Sequence, residues 1–352
     1  ERICKEVAEC QPAFEEIQAK DYEKAKKLFE NLARKDNLVA KTDLARLHLR
    51  QLIKSSDIGI AASLLDEASA EGYNDADANV ELGIAYLNRE DSNANWSKAI
   101  SLFQTAAKEN NASGQFNLGR SYLLGIVVEQ NTASAITWLG KAADNNDTSA
   151  CYLMGNIYES DEYLEPNIDM AAQFYESGAK LEHSGCQNKL GVIYRDGLGR
   201  EKDLEKAHRL FVLSANQEDS WGQFLLGCMY VSGHYVKQDY NYAYELLTKA
   251  SEQGLAEAHL ELGAMYGKGL GMSVDRERSI ELYKLAAGQK NAVALCNLGT
   301  IYCKGDGVEP DLELGVKYLS SAANLGDEEA KVALIGLKNK FGIVADGIPT
   351  LQ

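Results

Sequence analysis

The residues that could do chemistry here are five histidines, seven cysteines and a glycine-rich stretch around Lys268. The histidines (His48, His183, His208, His234 and His259) are scattered along the chain. His183-Ser184-Gly185-Cys186 sets two metal-ligating types three residues apart, but a zinc site takes three or four protein ligands. A helix start is the competing reading of that stretch. Gly267-Lys268-Gly269-Leu270-Gly271 superficially resembles a phosphate loop, yet it lacks the Gly-x4-Gly-Lys-Ser/Thr order and a preceding strand. Carboxylates are numerous, and no pair stands apart from solvated helix faces. The expectation is no catalytic site, no bound cofactor, no metal, and no hydrolase, transferase or redox activity.

The cysteines are Cys4, Cys10, Cys151, Cys186, Cys228, Cys296 and Cys303, an odd number, so at least one thiol is free or pairs between molecules. Cys296 and Cys303 fall on one predicted helix, ~10.5 Å apart along its axis, too far for a disulfide. Most of the set read as small buried hydrophobes; Cys4 and Cys10 are the one plausible pair. Asn95-Trp96-Ser97, Asn111-Ala112-Ser113 and Asn146-Asp147-Thr148 match the glycosylation sequon, which matters only in a eukaryotic secretory context.

What positions these residues is a repeat. Leu-Gly-x-x-Tyr, or Met-Gly-x-x-Tyr, recurs with its glycine at 83, 119, 155, 191, 227, 263 and 299 and its tyrosine at 86, 122, 158, 194, 230, 266 and 302. Each step is 36 residues. Sixteen residues after each glycine comes a small residue: Ala99, Ala135, Ala171, Ala207, Ala243, Ser279 and Gly315. Large apolar pairs follow, such as Leu102/Phe103 and Phe174/Tyr175, and then small pairs such as Ala106/Ala107. Spacing of 0, 3, 4, 7 and 8 marks one face of an α-helix.

Each unit therefore reads as two antiparallel helices, A and B, that bury their apolar faces only by stacking on neighbours. The glycine on A and the alanines on B are expected to let the two backbones approach. The tyrosine and the large residues of B are expected to fill the space between units. Gly197-Leu198-Gly199, Gly269-Leu270-Gly271 and Gly305-Asp306-Gly307 close the A-to-B loops, glycine supplying the positive φ that ends a helix. The loops near Asp161 and Gly233 lack the second glycine, so different shapes are expected there. Weaker copies flank the array. Residues 61–69 read as a B helix preceded by an A helix with Ala45 and His48 in the glycine and tyrosine places, and Ala25, Leu28, Phe29, Leu32 and Ala33 mark an earlier B helix. Residues 328–341 repeat the A pattern as a more polar cap.

Formal net charge is −16 and the sequence pI is about 4.9. An acidic surface repels phosphate backbones, so nucleic acid is an unexpected partner. No run of about 18 apolar residues suggests a membrane span. The chain begins at Glu1, and the expectation is a trimmed N-terminal segment; the compartment is left open, leaning to a periplasmic or otherwise extracytoplasmic one after processing.

The motif A-x-x-x-L-G-x-x-Y…G-x-G-V…A…A-A resembles the Sel1-like repeat, a relative of the tetratricopeptide repeat, over roughly residues 20–340. The resemblance implies an all-α fold, a right-handed α/α superhelix of about nine helix-turn-helix repeats. Its expected layout is N-terminal helices and cap at 1–36, a degenerate repeat at 37–74, seven repeats at 75–326, and a capping helix and tail at 327–352. It also implies a non-enzymatic adaptor that holds a protein or peptide in a concave groove. Asp21-Tyr22-Glu23-Lys24-Ala25 and Leu44-Ala45-Arg46-Leu47 are similar to periplasmic scaffold lipoproteins of alginate-type exopolysaccharide secretion. An envelope scaffold is thus one alternative function, and a regulatory module of a larger enzyme is another.

In related arrays the A-helix positions three before, one after and four after the glycine face the groove. Here three before gives Val80, Phe116, Tyr152, Asn188, Phe224, Leu260 and Cys296; one after gives Arg120 and Asn156 among others; four after gives Leu123 and Arg195 among others. Trp221 lies six before Gly227. Aromatics mixed with Arg and Asn mark interface anchors. The candidate protein-binding set is Phe116, Arg120, Tyr152, Asn156, Arg195, Trp221 and Phe224. The competing reading of the aromatics is packing between neighbouring repeats.

Overall fold

A computed structural model describes residues 2–88 and 93–341. These form nineteen helices and no strand. The first four are α1 (Arg2–Gln18), α2 (Tyr22–Ala33), α3 (Leu38–Leu49) and α4 (Ile58–Ala70). The pairs of the regular array follow: α5 (Ala76–Leu87) with α6 (Asn93–Lys108), α7 (Ala112–Leu124) with α8 (Thr132–Asp144), and α9 (Thr148–Glu159) with α10 (Ile168–Lys180). Next come α11 (Ser184–Asp196) with α12 (Leu204–Asn216), α13 (Ser220–Ser232) with α14 (Tyr240–Glu252), and α15 (Ala256–Lys268) with α16 (Arg276–Gly288). Last are α17 (Ala292–Lys304) with α18 (Leu312–Asn324), then α19 (Glu328–Phe341). The tail expected after residue 341 lies outside the described residues. Two compact units divide the chain, Glu1–Leu181 and Glu182–Gln352.

Helix starts repeat with the same period as the glycine. Asn111, Asp147, Asp219, Asn291 and Asp327 each precede an A helix, and each side chain accepts the backbone N–H three residues on, at 2.8–3.0 Å. This satisfies a donor that the helix itself leaves free. His183 does the same for α11, its Nδ1 accepting the Cys186 N–H at 3.1 Å. The helix-start reading of His183…Cys186 is the one the geometry supports. Asn111 and Asn146, two of the sequon asparagines, have backbone duties: Asn111 caps α7, and Asn146 takes a left-handed φ of 64° between α8 and α9.

The B helices are tied to the A helices through the motif tyrosine. The N–H of each B-helix N-cap (Asn131, Asn167, Asp203, Asp239, Asp275 and Asp311) donates to the carbonyl of Tyr122, Tyr158, Tyr194, Tyr230, Tyr266 and Tyr302 in turn, at 2.7–3.1 Å. The tyrosine rings then meet aromatic side chains of the B helices. Tyr158 stacks on Phe174 and Tyr302 on Tyr318, each pair with centroids 5.8 Å apart.

Three expectations are corrected. First, the motif glycine does not face the small residues of B alone. It lies under the second large residue of its own B helix, so Phe103, Leu139, Tyr175, Phe211, Leu247, Tyr283 and Leu319 sit over Gly83, Gly119, Gly155, Gly191, Gly227, Gly263 and Gly299. The small pairs admit the next A helix instead, where Gly114 lies against Ala106 and Ala107, and Gly222 against Ser214 and Ala215. Second, the loop after Gly233 keeps the common shape. Tyr235 takes the second left-handed position at φ 72°, as Val127 does at 65° in the loop after Gly125, a conformation that L side chains adopt at a cost. Of the two loops expected to differ, the Asp161 one does, since α9 ends on Ser160 in extended conformation. Third, Cys4 and Cys10 are unpaired. Both lie on α1, where six residues put them ~9 Å apart along the axis, beyond disulfide reach. Cys10 is buried and its thiol lies 3.7 Å from Asn37 Oδ1.

Candidate protein-binding surface

Among the described residues α5 touches α7, and α13 touches α11 and α15, while no comparable contact joins successive B helices. The A helices therefore line the tighter side of each stack, and their solvent-facing residues form the candidate surface. Not every expected position reaches it. Val80, Leu123, Asn188 and Cys296 are buried, because a helix face narrower than the expected stripe is left open once neighbours pack on both flanks. The position six before the glycine, which holds Trp221, and the position five after it, which holds Leu124, are exposed instead.

The unit Glu1–Leu181 carries four of the seven candidates. Phe116 is half-buried and packs against the core cluster of Leu123, Leu139, Met154 and Ile157, so it is a packing residue between repeats. Arg120, one turn on, is exposed. Tyr152 is half-buried, its ring 6.2 Å from that of Tyr175. Asn156 and Glu159 are drawn together by the same buried tyrosine, whose hydroxyl lies 2.7 Å from Asn156 Oδ1 and 2.6 Å from Glu159 Oε2. A phenol has one proton, so it serves one oxygen at a time. Gly155 makes this network possible, because the Tyr175 ring reaches the A-helix face by passing over it.

A wider cleft of about 860 Å³ in this unit is lined by His48, Arg50, Lys54, Asp57, Glu81, Ile84 and neighbours. Its polar groups serve one another. Arg50 grips Glu81 through two nitrogens at 3.0 and 2.5 Å, and His48 Nδ1 accepts the Asp57 N–H at 3.0 Å. Burial holds the His48 imidazole below its usual range.

The unit Glu182–Gln352 carries Arg195, Trp221 and Phe224. Trp221 is 45% exposed and meets Phe224 edge to face, with centroids 5.7 Å apart and planes at 84°. Phe224 is half-buried against both flanking clusters, one with Met229 and one with Leu262. Arg195 is committed locally: Nε and Nη2 each donate to Asp196 at 2.7 Å. That pairing holds the Asp196 carboxyl below the usual carboxylate range. Behind Trp221, burial pushes Asp219 up, but hydrogen bonds from the Gly222 N–H, Asn188 and Ser184 outweigh it and leave the carboxyl lowered.

Beside these residues is a cleft of about 400 Å³ whose lining includes Arg195, Asp196, Leu225, Cys228, Val231 and Glu261. Burial, reinforced by the nearby Glu261 charge, pushes the Cys228 thiol up to about 12. Burial also raises the Glu261 carboxyl. Cys228 stands one after Gly227, one of the register positions expected to face the groove. Glu261 was missed, because it stands two before its glycine, a position given no weight. Its counterparts there, Glu81, Lys189 and Asn297 among them, carry enough polar side chains to have signalled it. Among the described residues no group of three or more His, Cys, Asp or Glu side chains could hold a metal ion, and no helix is long and apolar enough to cross a membrane.

Stacked helix pairs with an open A-helix face define an α/α repeat scaffold. The profile of the Sel1 repeat matches residues 17–37, 76–111, 112–147, 148–183, 184–219, 222–255, 256–291 and 292–327. The chain belongs to the Sel1 repeat family. It is similar to a protective antigen of uropathogenic Escherichia coli strains displaying an SLR fold, at 26% identity over 90% of this chain and 68% of that one, with a TM-score of 0.73. It is also similar to a Sel1 repeat protein from Oxalobacter formigenes, at 28% identity over 69% of this chain and 96% of that one, with a TM-score of 0.64. No curated protein matches.

Proposed function

We propose that the chain is a non-enzymatic interaction scaffold that holds a protein or peptide partner against its A helices. The observation that carries the reading is the Trp221–Phe224 pair, an indole 45% exposed and held edge-on by a half-buried ring. A large aromatic fixed in this way loses little freedom on docking and brings a large apolar area, which is what interface anchors need. The unit Glu1–Leu181 has its own A-helix face, where Tyr152 and Arg120 are the candidates and Phe116 and Asn156 serve packing and local hydrogen bonds; Arg195 serves its own unit through its pairing with Asp196. The Sel1 repeat is generally a non-catalytic scaffold, and stacked repeats present extended surfaces suited to long partners. A thiol held near 12, as Cys228 is, stays protonated at neutral pH and makes a poor nucleophile.

The test uses immobilised wild type, Trp221→Ala, Phe224→Ala and Leu213→Ala, the last being an exposed residue of a B helix. The reading expects a native partner that binds wild type and Leu213→Ala and is lost from both A-face variants. A partner that leaves with Leu213→Ala but stays on Trp221→Ala and Phe224→Ala would move the surface to the B helices and end the reading.

A further inference from the structure

On α13, Trp221, Phe224 and Cys228 follow at spacings of three and four, so they form one stripe. Cys228 and Glu261, the latter on α15, line the same cleft. The cleft has two carboxylates and they differ in one respect. Asp196 is gripped by Arg195. Glu261 is half-buried, and among the described residues no hydrogen bond or ion pair reaches its carboxylate. Among the described residues the cation whose charge bears on it is Lys268, seven residues on and thus ~10.5 Å along the same helix.

A half-buried carboxylate that has lost part of its hydration and gained no protein partner is a standing cost to the fold. A cation arriving from outside removes that cost, so binding is favoured at this atom over the solvated acids elsewhere. A lysine or arginine suits the site better than a metal, because one carboxylate is too few ligands for a metal. The aliphatic stem of a basic side chain can also lie along Leu225, Cys228 and Val231 while its head reaches the acid. The net charge of −16 draws a basic segment towards the chain from a distance.

Resting on the scaffold reading above, we propose that Glu261 receives a lysine or arginine side chain from an extended segment of a protein partner, whose neighbouring apolar side chain sits on Trp221 and Phe224. Trp221 and Cys228 are ~10.5 Å apart along the α13 axis, and extended chain advances ~3.3 Å per residue. The basic and apolar residues of the segment are therefore separated by roughly three positions.

The experiment is selection of a phage-displayed random dodecapeptide library on the full chain. The selected peptides are then measured against wild type, Glu261→Gln, Trp221→Ala and Phe224→Ala, each checked for an unchanged helical spectrum. The expected result is enrichment of Lys or Arg about three positions from an apolar residue. Affinity should fall about tenfold or more on Glu261→Gln. Replacing the basic residue by norleucine should cost as much on wild type and almost nothing on Glu261→Gln. Peptides that lose affinity on Trp221→Ala and Phe224→Ala but bind Glu261→Gln like wild type would overturn this inference and leave the scaffold reading standing. Peptides indifferent to Trp221 and Phe224, or no selected peptide at all, would count against the scaffold reading, and the Glu261 inference would fall with it.

Discussion

The ring of Tyr175 lies across Gly155, so close that a β-carbon on the glycine would overlap Cε1, Cδ1 and Cζ. Tyr175 is fully buried, yet its hydroxyl reaches Asn156 and Glu159 on the A-helix face. Gly155→Ala must displace the ring and pull its hydroxyl away from both oxygens. We expect it to destabilise the unit Glu1–Leu181 by roughly 1–3 kcal/mol, read as an earlier urea or thermal transition. Gly191→Leu, which would drive a larger side chain into Phe211, should do at least as much in the unit Glu182–Gln352. Gly140 is the control: it lies inside α8 and a β-carbon there meets nothing within 4 Å. Gly140→Ala should stabilise by about 0.5–1 kcal/mol through helix propensity alone. If Gly155→Ala melts like wild type, the close approach is not what the glycine is for.

Thiol accessibility follows from burial. Cys4 is exposed, while Cys10, Cys151, Cys186 and Cys296 are buried. Burial pushes the thiols of Cys10 and Cys296 up to about 12, so they are protonated as well as shielded at neutral pH. Maleimide labelling of the native chain, followed by peptide mass mapping, should modify Cys4 first and leave those four unmodified until denaturant is added. A peptide in which Cys4 and Cys10 are disulfide-linked would contradict the placement of both on one helix.

The period of 36 made most of the fold legible, since seven glycines in one register leave no other arrangement of the apolar faces. The Asn and Asp caps share that register and could have fixed the helix starts as well. What misled was the assumption that loop shape follows glycine. Tyr235 and Val127 take left-handed φ without it, each following a left-handed helix cap, Gly233 and Gly125, that the Asp161 loop replaces by extended Ser160. The surface was legible only in part. Position within a repeat singles out Trp221 and Phe224 as candidates, but it cannot say that Arg195 turns aside to Asp196, that Tyr175 captures Asn156, or that Glu261 goes without a partner among the described residues. Those outcomes depend on side-chain neighbours in three dimensions, which vary from repeat to repeat.

Trp221 separates stability from binding. A half-exposed indole held by one ring contributes modestly to folding, and Trp221→Ala should cost roughly 0.5–1.5 kcal/mol of stability. A truncated aromatic anchor commonly costs binding ~2 kcal/mol or more, so partner affinity should fall about thirtyfold. Equilibrium unfolding and isothermal titration on the same preparation read the two effects. Equal losses in both would make Trp221 a structural residue.

The pH dependence of stability offers a test of Glu261 that needs no partner. Burial raises its carboxyl above the usual Glu value, so the folded chain holds this proton more tightly than the unfolded chain does. The stabilising contribution is complete below the ordinary Glu range and is lost as pH rises through the raised value. At neutral pH the ionised, unpartnered carboxylate is then a net cost. The ionisable groups around it are Lys268 on its own helix, Cys228 on α13, the Arg195–Asp196 pair on α11, Tyr283 on α16, and Lys202 and His234 at the cleft. The other carboxylate among them, Asp196, is held low and protonates only below Glu261. Glu261→Gln keeps the shape and removes the charge. It should raise the melting temperature by roughly 1–3 °C at neutral pH, with the gain shrinking on acidification and vanishing once Glu261 is protonated in both states. A variant that melts with wild type at neutral pH, or below it, would mean that the carboxylate is already satisfied in the free protein.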